Sequence, residues 1–215
     1  MSRYKLTKIY VWNSQLAYLA GLFASDGCLL NDGRHLNITS IDHEIIDYAQ
    51  SILGKQELKV QPKTGQFGTP AFAWQFSDVS LYDFFIHHGI TPQKSKTIKS
   101  VDVPDEYWSD FLRGYFDGDG TVYGYSDTRW KNSFMFYSGF ASASDDFLVW
   151  LSEKNAALIG VGNGSIRKSS NVRSLGYAKA DSRLIFSAMY GDNTCSDKYS
   201  LSRKRAKFDG FINRG

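Results

Sequence analysis

Cysteine is scarce in this chain of 215 residues: Cys28 and Cys195 are its two, and no CxxC pair occurs. A disulfide framework and a thiolate zinc site are not indicated, and a reducing compartment fits. Histidine is nearly as rare, with four residues. His35 and His43 have no partners at ligand spacing, and His87-His88 stands before Gly89, where an imidazolium suits a helix C-terminus better than a metal. A histidine-based nuclease centre is therefore disfavoured. No apolar run reaches the ~18 residues that span a bilayer. The first residues lack an apolar secretion core. The expected location is intracellular, in a prokaryotic cytoplasm or an organelle interior, without membrane attachment or secretion. There is no glycine-rich phosphate loop and no nucleophile–base set, which argues against a small-ligand enzyme. No separate helix-turn-helix segment is seen either. Strong net charge is also missing: +3 alone would not argue for nucleic acid, so the placement of charge must decide.

What is present is a globular composition, 42% hydrophobic and 22% charged, in a length that suits one large domain or two small ones. One stretch occurs twice. It reads Leu19-Ala20-Gly21-Leu22-Phe23-Ala24-Ser25-Asp26-Gly27, and again Leu112-Arg113-Gly114-Tyr115-Phe116-Asp117-Gly118-Asp119-Gly120. Leu, Gly, Phe, Asp and Gly recur in register. So wide a spacing means two copies of a whole structural unit, not a solenoid. Ala17, Gly21 and Ser25 share a helix face, and Gly114 and Gly118 form the same stripe in the second copy. Glycine inside a helix costs about 0.5–1 kcal/mol relative to alanine. That cost makes sense where a second backbone must come close, so Ala17, Gly21 and Gly114 are expected at a helix–helix interface.

Each copy then sets a carboxylate, Asp26 or Asp119, at the last turn. A helix C-terminus is already negative and rich in unpartnered carbonyls. Two such ends side by side concentrate oxygen ligands, for which a hard divalent cation is the natural partner. The plain alternative is that each Asp-Gly only makes a C-cap turn.

Both stretches resemble the LAGLIDADG motif of homing endonucleases, the second more closely, in the single-chain, two-motif arrangement. Ala24 and Ser25 depart from the usual acidic and small pair, and Arg113 is unusual in the second helix. The final acids match in both copies, and in the resemblance those are the metal-binding and catalytic positions. The carbonyls of Ser25 and Gly118 are the further ligands the resemblance implies. It also implies a lysine after the third helix of each unit. Lys94 fits that context in the first unit; Lys198 and Lys204 compete in the second, where Arg203-Lys204 resembles the family's closing pair. Surface lysines are the alternative. The resemblance implies an α+β fold of two pseudo-symmetric αββαββα units forming a saddle of antiparallel sheets, with the motif helices packed at the unit interface.

The pattern along the chain agrees. Asn13 or Ser14 can cap the first motif helix. A hairpin turns at Asn31-Asp32-Gly33, and Asp42 opens a helix closed by Gly54. Leu58 and Val60 alternate with Lys59 and Gln61 as a strand, Pro62 to Gly68 read as a turn, and Phe72, Trp74 and Phe76 alternate in the next strand. Asp78 opens a third helix. Residues 99–107 read as a linker between a first unit, 1–98, and a second, 108–215. There Thr121–Tyr125 pairs with Phe134–Ser142 across a longer tip, Ser144 or Asp145 caps a helix, Arg173–Ala180 is a strand, and Asp181 caps the helix after it. A basic helix ends the chain.

Strands that alternate apolar and polar residues leave one face for a ligand. Arg34, Asn37, Lys59, Gln61, Gln75, Arg129, Lys131, Arg167, Lys168, Arg173 and Lys179 are the candidates for phosphate and base contacts. Singly, each is also explained as a solvated strand face, and the Arg129–Lys131 tip as a surface loop. Ser40 and Ser142 end strands and are candidates near the pocket, for positioning water, or else only start the helices that follow. The two sheets would span roughly 50–60 Å of duplex, on the order of 15–18 base pairs at ~3.4 Å each, and the expected partner is a double-stranded DNA target of roughly 15–25 base pairs. The expected activity is site-specific hydrolysis of both strands by a monomer with Mg²⁺ or Mn²⁺, Ca²⁺ being a non-productive substitute. A non-cleaving nucleic-acid-binding protein of the same fold, an RNA maturase or a transcription regulator, is the alternative.

Overall fold

In the computed structural model, helix α1 (Ser14–Ala24) is buried at every position from Leu16 to Ala24. A helix apolar all round belongs inside the molecule. Asn13 starts it, its side-chain oxygen accepting the Leu16 N–H at 2.9 Å. The structure describes residues 8–65, 68–126, 134–169, 172–192, 194–195 and 197–214. Helix α4 (Trp108–Asp119) is the counterpart of α1 and begins from a short 3-10 turn, Asp105–Tyr107, behind Pro104.

Each motif helix leads into a four-stranded antiparallel sheet. The first contains β1 (Gly27–Leu29), β2 (His35–Ser40), β3 (Gln61–Thr64) and β4 (Pro70–Ser77), in the order β1-β2-β4-β3. The second contains β5 (Gly120–Ser126), β6 (Phe134–Ser142), β7 (Ser165–Ser169) and β8 (Val172–Tyr177), in the order β5-β6-β8-β7. Helices α2 (His43–Leu53) and α3 (Val79–His87) follow the hairpins of the first unit, α5 (Asp145–Ile159) and α6 (Lys179–Tyr190) those of the second, and α7 (Ser202–Ile212) closes the chain. The fold is α+β, built from two pseudo-symmetric units. Leu36, Ile38, Trp74 and Phe76 on one sheet, and Phe136, Phe140, Leu175 and Tyr177 on the other, are buried toward the helices. Among the described residues no helix is long and apolar enough to cross a membrane.

Three local expectations shift. Residues 62–64, expected in a turn, are strand, and Leu58 to Val60 lie outside it. The Leu58 carbonyl instead accepts from Gln50 on α2 at 2.7 Å, and the edge position of β3 tolerates Pro62, which has no N–H to give. Helix α6 starts before Asp181: Ala178 is its N-cap and Asp181 falls in the first turn, where a carboxylate still complements the helix dipole. Lys179 is thus a helix residue, not a strand residue. Asp42 stands at the N-cap of α2 but its side chain makes no capping bond, because both carboxylate oxygens are bound by Arg203.

Candidate active site

Helices α1 and α4 cross in backbone contact. A Cβ on Gly21 would collide with the Phe111 carbonyl and stand 2.6 Å from the Tyr115 nitrogen. A Cβ on Gly114 would collide with the Tyr18 carbonyl, and one on Gly118 with the Ser25 hydroxyl. Gly21 and Gly114 therefore perform the same service for each other's helix. Ala17, on the same face of α1, is fully buried. Ser25 closes its end of the crossing, its hydroxyl donating to the Gly21 and Leu22 carbonyls, each at 3.1 Å.

The crossing brings the two acids together. Asp26 Cγ lies 3.4 Å from where a Gly118 Cβ would stand. Burial pushes the Asp26 carboxyl up to about 6, and the neighbouring Asp119 charge adds to the rise. Asp119 is raised as well, by burial. Lys204 and Lys94 oppose both shifts. A cavity of about 180 Å³ opens beside Asp119, with Ser25, Ser95, Tyr115 and Ser142 among its walls.

Two buried lysines stand at this point. Lys94 Nζ donates to the carbonyls of Ser25 (3.2 Å) and Gly27 (2.6 Å). Lys204 Nζ donates to those of Phe116 (2.7 Å) and Gly118 (2.8 Å). Each amine therefore meets carbonyls at the end of one motif helix, where a cation is favoured. Burial lowers Lys94 and brings Lys204 down to about 8. Of the two second-unit candidates, Lys204 is buried at the helix end and Lys198 is exposed. The carbonyls of Ser25 and Gly118 thus already accept from lysine, each keeping a second lone pair.

Each lysine is held from across the molecule. The Ser144 hydroxyl at the start of α5 donates to the Ile98 carbonyl, closing the turn that carries Lys94, at 2.5 Å. In return, Asp42 binds Arg203 through two hydrogen bonds of 2.7 and 2.6 Å, and Glu44 accepts from the Ser202 N–H and hydroxyl at the start of α7. The sequence carried no sign of these clasps, because they join residues far apart in the chain. It also hid Arg113. That side chain is fully buried and donates to the carbonyls of Tyr199 and Met189, both at 2.8 Å, and to Asp110 at 2.7 Å. Asp117 is buried too; one oxygen accepts from Tyr18 and the Leu201 N–H. Burial raises it to about 6. Arg113 and Asp117 together fasten the segment leading into α7 and Lys204.

The expected contact residues divide. Asn37 and Gln75 are direct neighbours across β2 and β4, on the sheet face turned away from the helices, and Gln61 on β3 shares that face opposite Ala73. Arg34 precedes β2, and Arg167 and Lys168 are exposed on β7. Lys59 is exposed in the loop before β3 rather than on a strand. Arg173 turns to the helix side, its Nε 2.5 Å from Asp145 at the start of α5. Lys179 donates to the Phe134 carbonyl at 3.1 Å. Ser40 and Ser142 are buried, and each hydroxyl accepts the backbone N–H two residues on, which is the helix-starting role. Ser142 keeps its place in the wall of the cavity beside Asp119. Arg129 and Lys131 lie outside the described residues. The sequence reading missed Tyr123, Tyr125 and Tyr137, whose rings stack on the outer face of the second sheet.

Residues 13–71 match the family model for a LAGLIDADG-like domain. No curated protein sequence matches the chain. Among solved structures, full-length DUF199/WhiA from Thermatoga maritima superposes with a TM-score of 0.58 at 12% identity, covering 97% of this chain and 63% of that one. The present chain thus spans less than two thirds of that protein. The meganuclease I-SmaMI bound to uncleaveable DNA gives 0.59 at 12% identity, over 91% of this chain and 88% of its own. The LAGLIDADG meganuclease I-AabMI bound to uncleaved DNA gives 0.60 at 12% identity, over 94% and 90%. I-SmaMI also has a structure with uncleaved target in the presence of calcium ions. At such identity these likenesses concern the fold.

Proposed function

We propose that this chain, a member of the LAGLIDADG family, is a site-specific double-strand DNA endonuclease. The observation that carries the reading is the meeting of Asp26 and Asp119 at the ends of two crossed helices, each end also holding a buried lysine. A duplex has two scissile phosphates, and a duplicated unit supplies one set of groups for each. The unit boundaries, 1–98 and 108–215 around a connector at 99–107, belong to this reading. So do action as a monomer and a target of roughly 15–25 base pairs along the outer sheet faces.

The donor set fits a hard divalent cation such as Mg²⁺. It holds two carboxylates that burial destabilises as free anions, Asp26 further so through the Asp119 charge, with backbone oxygens beside them. Among the described residues no group of three His, Cys, Asp or Glu side chains forms a self-sufficient metal cage. Asp26 and Asp119 would hold the ion, with the free lone pairs of the Ser25 and Gly118 carbonyls and with oxygens from DNA and water. Bound there, a divalent ion supplies a more acidic water and charge neutralisation at the phosphate. Lys94 and Lys204 place positive charge in a partly desolvated pocket, which favours the extra negative charge of the transition state. Burial disfavours the charge on both carboxylates, so the pocket favours an arriving cation.

One observation favours a second reading. The Ser25 and Gly118 carbonyls already accept from lysine, which competes with metal ligation and suits a non-cleaving, nucleic-acid-binding protein. The test is selection from a randomised duplex library, followed by cleavage in Mg²⁺ or Mn²⁺. Cutting that disappears in the double variant Asp26→Asn, Asp119→Asn supports the nuclease. Undiminished metal-dependent cutting by that variant overturns the assignment of the site. A duplex bound tightly but never cut selects the second reading.

A further inference from the structure

The outer faces of the two sheets are built from different chemistry at equivalent positions. In the first sheet Cys28, Asn37 and Gln75 form one row across β1, β2 and β4. Asn37 lies three residues before Ser40, which ends β2. In the second sheet the residue three before Ser142 is Gly139, and its neighbour on β8 is Gly176. Two amides in one half thus correspond to two glycines in the other. The glycines are not demanded by crowding at Gly176, where an added Cβ finds its nearest atom at 3.8 Å. A glycine within a strand often marks close approach of a ligand. Here the two floor a cavity of about 190 Å³ whose walls include Tyr123, Tyr137, Ser165, Arg167 and Ser174.

Beside this cavity the tyrosines form a ladder. Tyr137 stacks on Tyr123 with centroids 5.3 Å apart and on Tyr125 at 6.1 Å, both at an interplanar angle of 16°. Tyr123 and Tyr125 are each 48% exposed, which is a large aromatic surface to leave in water. Arg167 on β7, paired with Ser174, gives the same region positive charge. A largely apolar slot with a guanidinium at its rim matches the major groove beside a thymine. The thymine 5-methyl group is the apolar feature of the major-groove edge, and phosphates flank it.

Resting on the reading of these faces as a DNA interface, we propose that the cavity bounded by Tyr123, Tyr137 and Arg167 over Gly139 and Gly176 takes a thymine methyl group, so that the second unit reads its half-site by apolar contact while the first reads by amide hydrogen bonds. Asn and Gln in the first sheet suit bidentate contacts to adenine. The slot in the second has no amide to offer and rewards a methyl. The two halves of the target are therefore recognised by different physics despite the pseudo-symmetric fold.

The test selects duplexes by binding rather than by cutting, in Ca²⁺, and then replaces single thymines by deoxyuridine, which removes only the methyl. Dissociation constants are measured by fluorescence anisotropy. At one or more thymines in one half-site the replacement is expected to weaken binding about fourfold per methyl. In the other half it should change binding less than twofold. Tyr123→Ser, at an exposed position, should abolish the deoxyuridine effect at that position, and Gly176→Gln should exchange the thymine preference for another base. A selected site without a thymine there, or a deoxyuridine effect unchanged in both variants, overturns the inference. A site bound but not cut in Mg²⁺ overturns the nuclease reading alone and leaves this one standing. Failure to retain any duplex overturns both.

Discussion

Replacing Gly114 by alanine should destabilise the molecule, although in an isolated helix the same change stabilises. Alanine improves helix propensity by about 1 kcal/mol. At Gly114, however, the new methyl meets the Tyr18 carbonyl carbon at 2.9 Å and the Leu22 nitrogen at 3.1 Å, besides colliding with the carbonyl oxygen. These are backbone atoms of α1, which no rotamer change can move. Forcing a methyl into so rigid a contact costs about 3 kcal/mol, the upper end for overpacking. The net loss is about 2 kcal/mol. For a chain of this size each kcal/mol moves Tm by roughly 2–4 °C, so Tm should fall by about 4–8 °C. Gly210 is the control. It lies within α7, and nothing stands within 4 Å of its added Cβ. Gly210→Ala should raise Tm by a few degrees through propensity alone. Circular dichroism melts of the two variants decide the matter. A Gly114→Ala protein at least as stable as its parent would falsify the close crossing. The same variant, assayed far below its Tm, should cut at least tenfold more slowly, because opening the crossing separates Asp26 from Asp119 and small misplacements of reacting groups cost up to about 100-fold.

Asp26→Asn or Asp119→Asn should each lower cleavage at least 100-fold while leaving DNA affinity within a few-fold, as paired gel-shift and cleavage assays would register. Lys204→Met removes the donor shared by the Phe116 and Gly118 carbonyls; supercoiled plasmid should then accumulate as nicked circles before linear product, and equal slowing of both strands would argue against one lysine per phosphate. Arg113→Met strands Asp110 without its buried cation, so denaturant titration should show a loss of about 3–5 kcal/mol. The Asp42–Arg203 pair is half open to water on the arginine side, and a double-mutant cycle with alanine should give a coupling of only about 0.2–1 kcal/mol.

Local chemistry was legible in the sequence, and chemistry settled across the chain was not. Asn13, Asp78 and Ser144 each accept the N–H that their capping role requires, because a cap involves only neighbours within one turn. The glycine stripes also announced the crossing, since their cost needs a compensating backbone contact. Arg113 looked like an oddity within an apolar motif because its partners, Tyr199 and Met189, lie far along the chain. Arg173 read as a DNA contact by strand alternation, but Asp145 competes for it on the helix side. Ser40 and Ser142 carried two possible roles in sequence, and burial favours the one that leaves their hydroxyls on backbone amides.

The clasps tie the lysine of each unit to the opposite unit. A lysine on a short turn or at the start of a basic helix has every reason to remain in water, since burying an amine costs several kcal/mol unless it finds acceptors. Lys94 and Lys204 find theirs at the motif-helix ends, and the elements that carry them are fixed by the opposite unit: Ser144 on Ile98 for one, Asp42 and Glu44 on Arg203 and Ser202 for the other. The glycine crossing brings the carboxylates together, and that same contact brings α2 to α7 and α5 to the Lys94 turn. The placement of the acids and the placement of the cations thus depend on a single interface. A half that lacked its mate would lose the second carboxylate and the hold on its own lysine at once. The site is therefore a property of the crossing, with no complete set of groups on either side of it.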